Sequence, residues 1–85
     1  MREKAVQYFA EANHSELNRE MAQGQGEKLN TLAGLYGCHS NEMGAFAKMT
    51  QTSYGKIVPS SQTSSSEMVS NLNKEVSAQQ ICQSI

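Results

Sequence analysis

Two glycines one residue apart, Gly24 and Gly26, interrupt a stretch that is otherwise helix-friendly: Met21-Ala22-Gln23-Gly24-Gln25-Gly26-Glu27-Lys28-Leu29-Asn30-Thr31-Leu32-Ala33. Glycine weakens a helix interior by about 1 kcal/mol relative to alanine, and it is the residue best suited to the left-handed conformation that ends one. The stretch therefore reads as two short helices joined by a very tight bend. Gly24 is the left-handed terminator of the first. Gly26 frees the backbone again, and Glu27 starts the second, where a carboxylate suits the positive end of the helix dipole. This pattern restricts the architecture severely and the chemistry very little; taken alone, the sequence does not say what the chain does.

The rest of the chain repeats apolar residues at spacings of three and four, the helical signature, with no alternation of period two. Ala5, Val6, Phe9 and Ala10 form a first stripe. Asn13, with Glu16 three positions on, predicts a capped start for a second helix carrying Leu17 and Met21. Leu29, Leu32, Ala33 and Tyr36 make the apolar face of a third, ended by Gly37. A fourth is predicted to start from a Ser40 cap and to carry Met43, Phe46, Met49 or Thr50, Tyr54 or Ser53, and Ile57. Gly55 is its weak point, ahead of the single proline, Pro59. Residues 60–66 are too polar to bury and read as a loop. Ser64 and Glu67 then form a capping box for a last helix carrying Met68 or Val69, Leu72, Val76 and Gln79 or Gln80. The expectation is an all-α fold, one domain over residues 1–85, built as a small bundle of four or five short helices with orthogonal or irregular packing. A chain of 85 residues has a thin core, burying roughly 60–65% of its unfolded surface. Met21, Met43, Met49 and Met68 fall on the apolar stripes and are read as gap-fillers of that core.

Composition removes several function classes. The formal charge is −1 with pI about 6.1, and the charges are scattered. No basic stripe is available to displace counterions from a phosphate backbone, so nucleic acid is not expected as a partner. Residues 15–36 have the parts of a helix-turn-helix, but the second helix would begin with Glu27 and offer only Lys28 and Asn30 to bases. No apolar run approaches the roughly 20 residues of a membrane span. Met1-Arg2-Glu3-Lys4 leads into an amphipathic segment and not into the apolar core of a signal peptide.

The candidate chemistry is sparse. Gly24-Gln25-Gly26 before a helix start resembles an anion nest, yet no strand precedes it, no third glycine or Lys-Ser/Thr pair follows, and Glu27 places a negative charge where a phosphate would lie. No cofactor is expected. His14, beside the Asn13 cap, reads as an exposed first-turn residue. Cys38-His39 suggests two ligands or a reactive pair, but adjacent residues rarely converge on one metal, and no CxxC or HxxxH spacing accompanies them. A Cys/His nucleophile would further require an orienting Asn or Asp and an oxyanion site. No catalytic or metal-ligating residue is therefore assigned. The favoured expectation is a non-enzymatic interaction or structural module with a protein partner, and the alternative is a small-ligand or metal-binding module using the Cys38-His39 loop. The two cysteines, Cys38 and Cys82, would be ordinary thiols in a reducing compartment. In an oxidising one they are a plausible disulfide, adding about 4 kcal/mol on the chain-entropy argument.

Phe9-Ala10-Glu11-Ala12-Asn13, Leu17, the segment from Met21 to Leu29, Leu32-Ala33, Leu35, Gly37-Cys38 and the stretch from Phe46 to Tyr54 together resemble a family of small exported bacterial proteins classed as a domain of unknown function. Its mark is an Ala-x-Gly-x-Gly-Glu/Gln-x-Leu motif, matched here from Ala22 to Leu29. The resemblance extends to a cysteine after a Leu-x-Gly step and another near the C-terminus, similar to Cys38 and Cys82. It implies a periplasmic or exported location, in which a disulfide is more credible. Family members begin with a signal peptide and a glycine- and cysteine-containing segment, so this chain resembles the C-terminal helical part of a longer precursor. Whether Cys38 and Cys82 pair with each other or with an upstream cysteine stays open. The resemblance carries over no catalytic residues. It places the expected interaction or structural module in the bacterial envelope.

Overall fold

The structure, a computed structural model, describes residues 2–82. Those residues form α1 (Arg2–Ala12), α2 (His14–Gln23), α3 (Glu27–Leu35), a 3-10 turn (Ser40–Glu42), α4 (Met43–Thr52), α5 (Tyr54–Ile57) and α6 (Ser65–Gln79), with no strand among them. The all-α bundle is the expected one. Its helices are more numerous because the expected fourth helix is divided into α4 and α5, and the residues at two of the breaks act differently from the residue pattern.

The first is Asn13. It was expected to cap the start of α2, but its side-chain amide donates backward to the Phe9 carbonyl at 3.0 Å, beside its own backbone N–H, also 3.0 Å from that oxygen. Asn13 thus closes the end of α1 and makes no side-chain cap for α2. The second is Ser53. Gly55 looked like the weak point, yet it lies inside α5, and the irregularity is at Ser53 with φ −100° and ψ 16°. One turn earlier the Thr50 hydroxyl donates to the Ala47 carbonyl at 2.7 Å, the type of back-bonding that bends helices. Ser53 itself is buried and its Oγ accepts from Gln79 Nε2 of α6 at 3.3 Å.

The Ser40 cap is also corrected. His39 is the residue before the 3-10 turn, where its N–H donates to Glu42 Oε1 at 2.9 Å while the Glu42 N–H donates to the His39 carbonyl at 2.8 Å. That reciprocal pair fixes the turn, and Ser40 is carried inside it. The Ser64–Glu67 capping box forms as read: the Glu67 N–H donates to Ser64 Oγ at 3.1 Å and the Ser64 N–H to Glu67 Oε1 at 3.0 Å. The polar loop before it buries one of its members, Thr63, whose Oγ1 accepts the Ser60 N–H at 3.1 Å.

The core follows the stripes closely. Leu17 and Met21 of α2, Leu29 and Leu32 of α3, Phe46 of α4, Ile57 of α5 and Met68 and Leu72 of α6 have no exposed surface. Met21, Met49 and Met68 are buried and Met43 packs at the margin, as gap-filling residues should. Ala5 is exposed, leaving Val6 and Ala10 as the inward positions of α1. Gln79 and Gln80 are exposed too, and the apolar side of the last helix continues instead through Ile81 and Cys82. α1 rests on α3 and α6, α2 on α3 and α4, and α5 on α6. The Tyr36 and Phe46 rings, 5.6 Å apart and tilted by 40°, join the end of α3 to α4.

Candidate functional site

Three places collect polar chemistry, and the first is the glycine bend. Gly24 has φ 74°, its N–H donates to the Met21 carbonyl at 3.2 Å, and the Gln25 N–H donates to the Glu20 carbonyl at 3.2 Å. These are the two bonds of a Schellman ending. Gly26 has φ 147°, and a Cβ there would lie 2.1 Å from Glu20 Oε1. The reason is the Glu20 carboxylate, only 8% exposed, which reaches across the bend and accepts the Leu29 N–H at 2.8 Å. Leu29 is the third residue of α3, so Glu20 satisfies one of the orphan donors at that helix start. Glu27 is the exposed first residue of α3 and lends charge to its first turn. The carboxylate acting as cap is therefore Glu20, which the residue pattern did not single out. The signal available was an acidic residue in the last turn before a glycine bend. An anion entering this bend would meet that carboxylate, so the site is already filled from within.

The second place is the cysteine pair. α3 also ends in a Schellman arrangement: the Cys38 N–H donates to the Ala33 carbonyl and the Gly37 N–H to the Gly34 carbonyl, both at 3.0 Å, with Gly37 at φ 88°. That ending turns Cys38 inward. α6 ends in the same way through Gln80 and Ile81, and the next residue is Cys82. Cys38 and Cys82 form a disulfide with their Cα atoms 4.6 Å apart, and both are buried. A sulfur held in this bond is neither a nucleophile nor a metal ligand. His39 is exposed, whereas Cys38 beside it is buried. Adjacency in sequence thus does not become a shared site. Among the described residues, no three His, Cys, Asp or Glu side chains gather as a metal would require. His14 is half-buried, not exposed as read from its position. Its Nε2 and the Asn18 Oδ1 one turn later are enclosed without a hydrogen-bond partner.

The third place was not legible in the sequence. A cleft of about 330 Å³ runs between α1 and α6, with Val6, Val69 and Tyr36 at its base and Gln7, Ser66, Ser70 and Asn73 along its sides. The Tyr36 hydroxyl donates to Asn73 Oδ1 from 37 positions away in the chain. Gln7 Nε2 donates to Glu11 Oε2 at 3.1 Å. Beside the cleft, on the outer face of α1, Tyr8 is 78% exposed, the one large hydrophobic side chain so exposed among the described residues.

A family model described as "Protein of unknown function (DUF3015)" matches residues 1–84. No curated protein matches the chain, and no solved structure does. No described helix is long and apolar enough to cross a membrane.

Proposed function

Because the chain belongs to the DUF3015 family, whose description assigns no activity, we propose a role from its own residues: a non-enzymatic interaction or structural module of the bacterial envelope. The observation that carries this reading is the buried Cys38–Cys82 disulfide. Such bonds form and persist in oxidising compartments and are rare in the cytosol. They also serve small domains whose cores are thin. The groups with intrinsic reactivity have structural employment: both thiols are joined to each other, and Glu20, the one buried carboxylate among the described residues, holds a helix start. The surface offered to a partner is the outer side of α1, where Tyr8 presents a rigid amphipathic ring of the kind that anchors interfaces.

Two measurements in bacterial cells test the reading. The first exports the chain behind a cleavable leader and traps thiols with a maleimide before lysis. The exported protein should be unreactive and its cytosolic counterpart reactive; equal labelling of both would remove the compartment argument. The second replaces Tyr8 with a photo-reactive phenylalanine analogue. One discrete adduct, absent when the analogue is moved to Ser61 in the loop before α6, supports the module. No adduct from position 8 counts against it.

A further inference from the structure

The geometry points to the α1–α6 cleft as a binding site for a small uncharged ligand built on a secondary amide with hydroxyl groups beside it, the chemistry of an N-acetylated sugar. This does not depend on where the protein resides. The two walls present complementary groups. On α1, one amide hydrogen of Gln7 is used on Glu11, which leaves the Gln7 carbonyl oxygen as an acceptor and the second amide hydrogen as a donor for a ligand. On α6, Asn73 uses its oxygen to accept from Tyr36, so the Asn73 amide nitrogen is the donor left for one. A secondary amide carries one donor and one acceptor on opposite edges, and the Gln7 oxygen and the Asn73 amide nitrogen can meet them from the two walls. Val6 and Val69 form an apolar base that suits the methyl of an acetyl group. Ser66 and Ser70, a turn apart on α6 and both exposed, line the same side as Asn73 and suit ring hydroxyls. The described lining residues, Val6, Gln7, Tyr36, Ser66, Val69, Ser70 and Asn73, are all uncharged. The cleft, about 330 Å³, lies at the lower end of small-molecule sites, which begin at about 300 Å³.

The test is a titration of the oxidised, ¹⁵N-labelled protein followed by amide chemical shifts. N-acetylglucosamine should give saturable shifts at Gln7, Val69, Ser70 and Asn73 with Kd of about 1 mM, the range a ligand of this size reaches in an open cleft. Glucose, which lacks the amide, should bind about tenfold more weakly. Ser70→Leu fills the cleft from an exposed position and should abolish the shifts while leaving the remaining spectrum and the Tm intact. Ser61→Leu, in the loop away from the cleft, should change neither. The inference is overturned by the absence of saturable shifts, by equal binding of glucose, by binding that survives Ser70→Leu, or by a response only to acetate or butylammonium. Tighter binding of N-acetyl-alanine-N-methylamide than of the sugar would reassign the cleft to peptide and overturn it equally.

Discussion

α2 and α6 end on the same pair of backbone hydrogen bonds but reach it by different means. At the end of α2 the left-handed position is Gly24, and the chain then turns through a second glycine, Gly26, onto the carboxylate of Glu20. At the end of α6 the left-handed position is Gln80, with φ 54°, and two residues later Cys82 also has positive φ, 59°. A side-chain-bearing residue is less stable there by roughly 1–2 kcal/mol. The first ending is specified by residues that favour it locally. The second is held against local preference, and the disulfide to Cys38 is the tether that holds it. One region is written in short-range chemistry, the other in a covalent bond to a residue 44 positions away.

The comparison can be broken most forcefully at the tether. Replacing both cysteines with serine should lower stability by about 4 kcal/mol, the chain-entropy value for a loop of this length, less whatever the relaxed Gln80–Cys82 backbone returns. Chemical denaturation of oxidised, reduced and substituted protein measures it; equal midpoints for all three would mean that the C-terminal ending stands without its bond.

At the bend, Gly26→Ala is expected to cost about 3 kcal/mol, because the new Cβ meets the Glu20 carboxylate and the backbone stays at a φ that side chains avoid. Glu20→Ala alone should cost about 1.5 kcal/mol, the value of a lost helix cap. The double substitution should cost less than the sum of the two, since the collision disappears with the carboxylate. Strict additivity in thermal or denaturant unfolding would show that Glu20 and Gly26 do not act together. Gly24→Ala is the milder partner of Gly26→Ala, at about 1 kcal/mol, because its Cβ meets the end of the flexible Gln51 side chain.

The smallest effect is a gain. Gln80→Gly should raise stability by about 0.5 kcal/mol, the relieved left-handed strain less the added freedom of the unfolded chain. A loss instead would mean that Gln80 makes a contribution its exposed side chain does not suggest.

These endings also mark how far the residues could be read in advance. Gly24, Gly37 and the Ser64–Glu67 box act within four or five positions, so their roles were visible in the sequence. The apolar stripes were legible for the same reason, since a helix face depends only on spacing. Asn13, Ser40 and the weak point assigned to Gly55 were misread because each choice is settled by a competitor. Asn13 finds the Phe9 carbonyl, Glu42 reaches back to His39 and leaves Ser40 inside the turn, and Ser53 is drawn to Gln79 on another helix. Glu20 resembled any solvated helix carboxylate until the bend folded over it. The cleft was invisible altogether, because Tyr36 and Asn73 meet only once α1, α3 and α6 are assembled.

The cross-link from Cys38 to Cys82 divides the molecule in a way its packing does not. The 3-10 turn, α4, α5 and α6 lie inside a covalent ring, while α1, α2 and α3 lie outside it. A pull on the two ends of the chain would unravel the first three helices but leave the ring closed. It would withhold about 150 Å of contour length that only reduction releases. In a force-extension trace the oxidised protein should behave as a short chain with a knot-like stop, and the reduced one as a chain nearly twice as long.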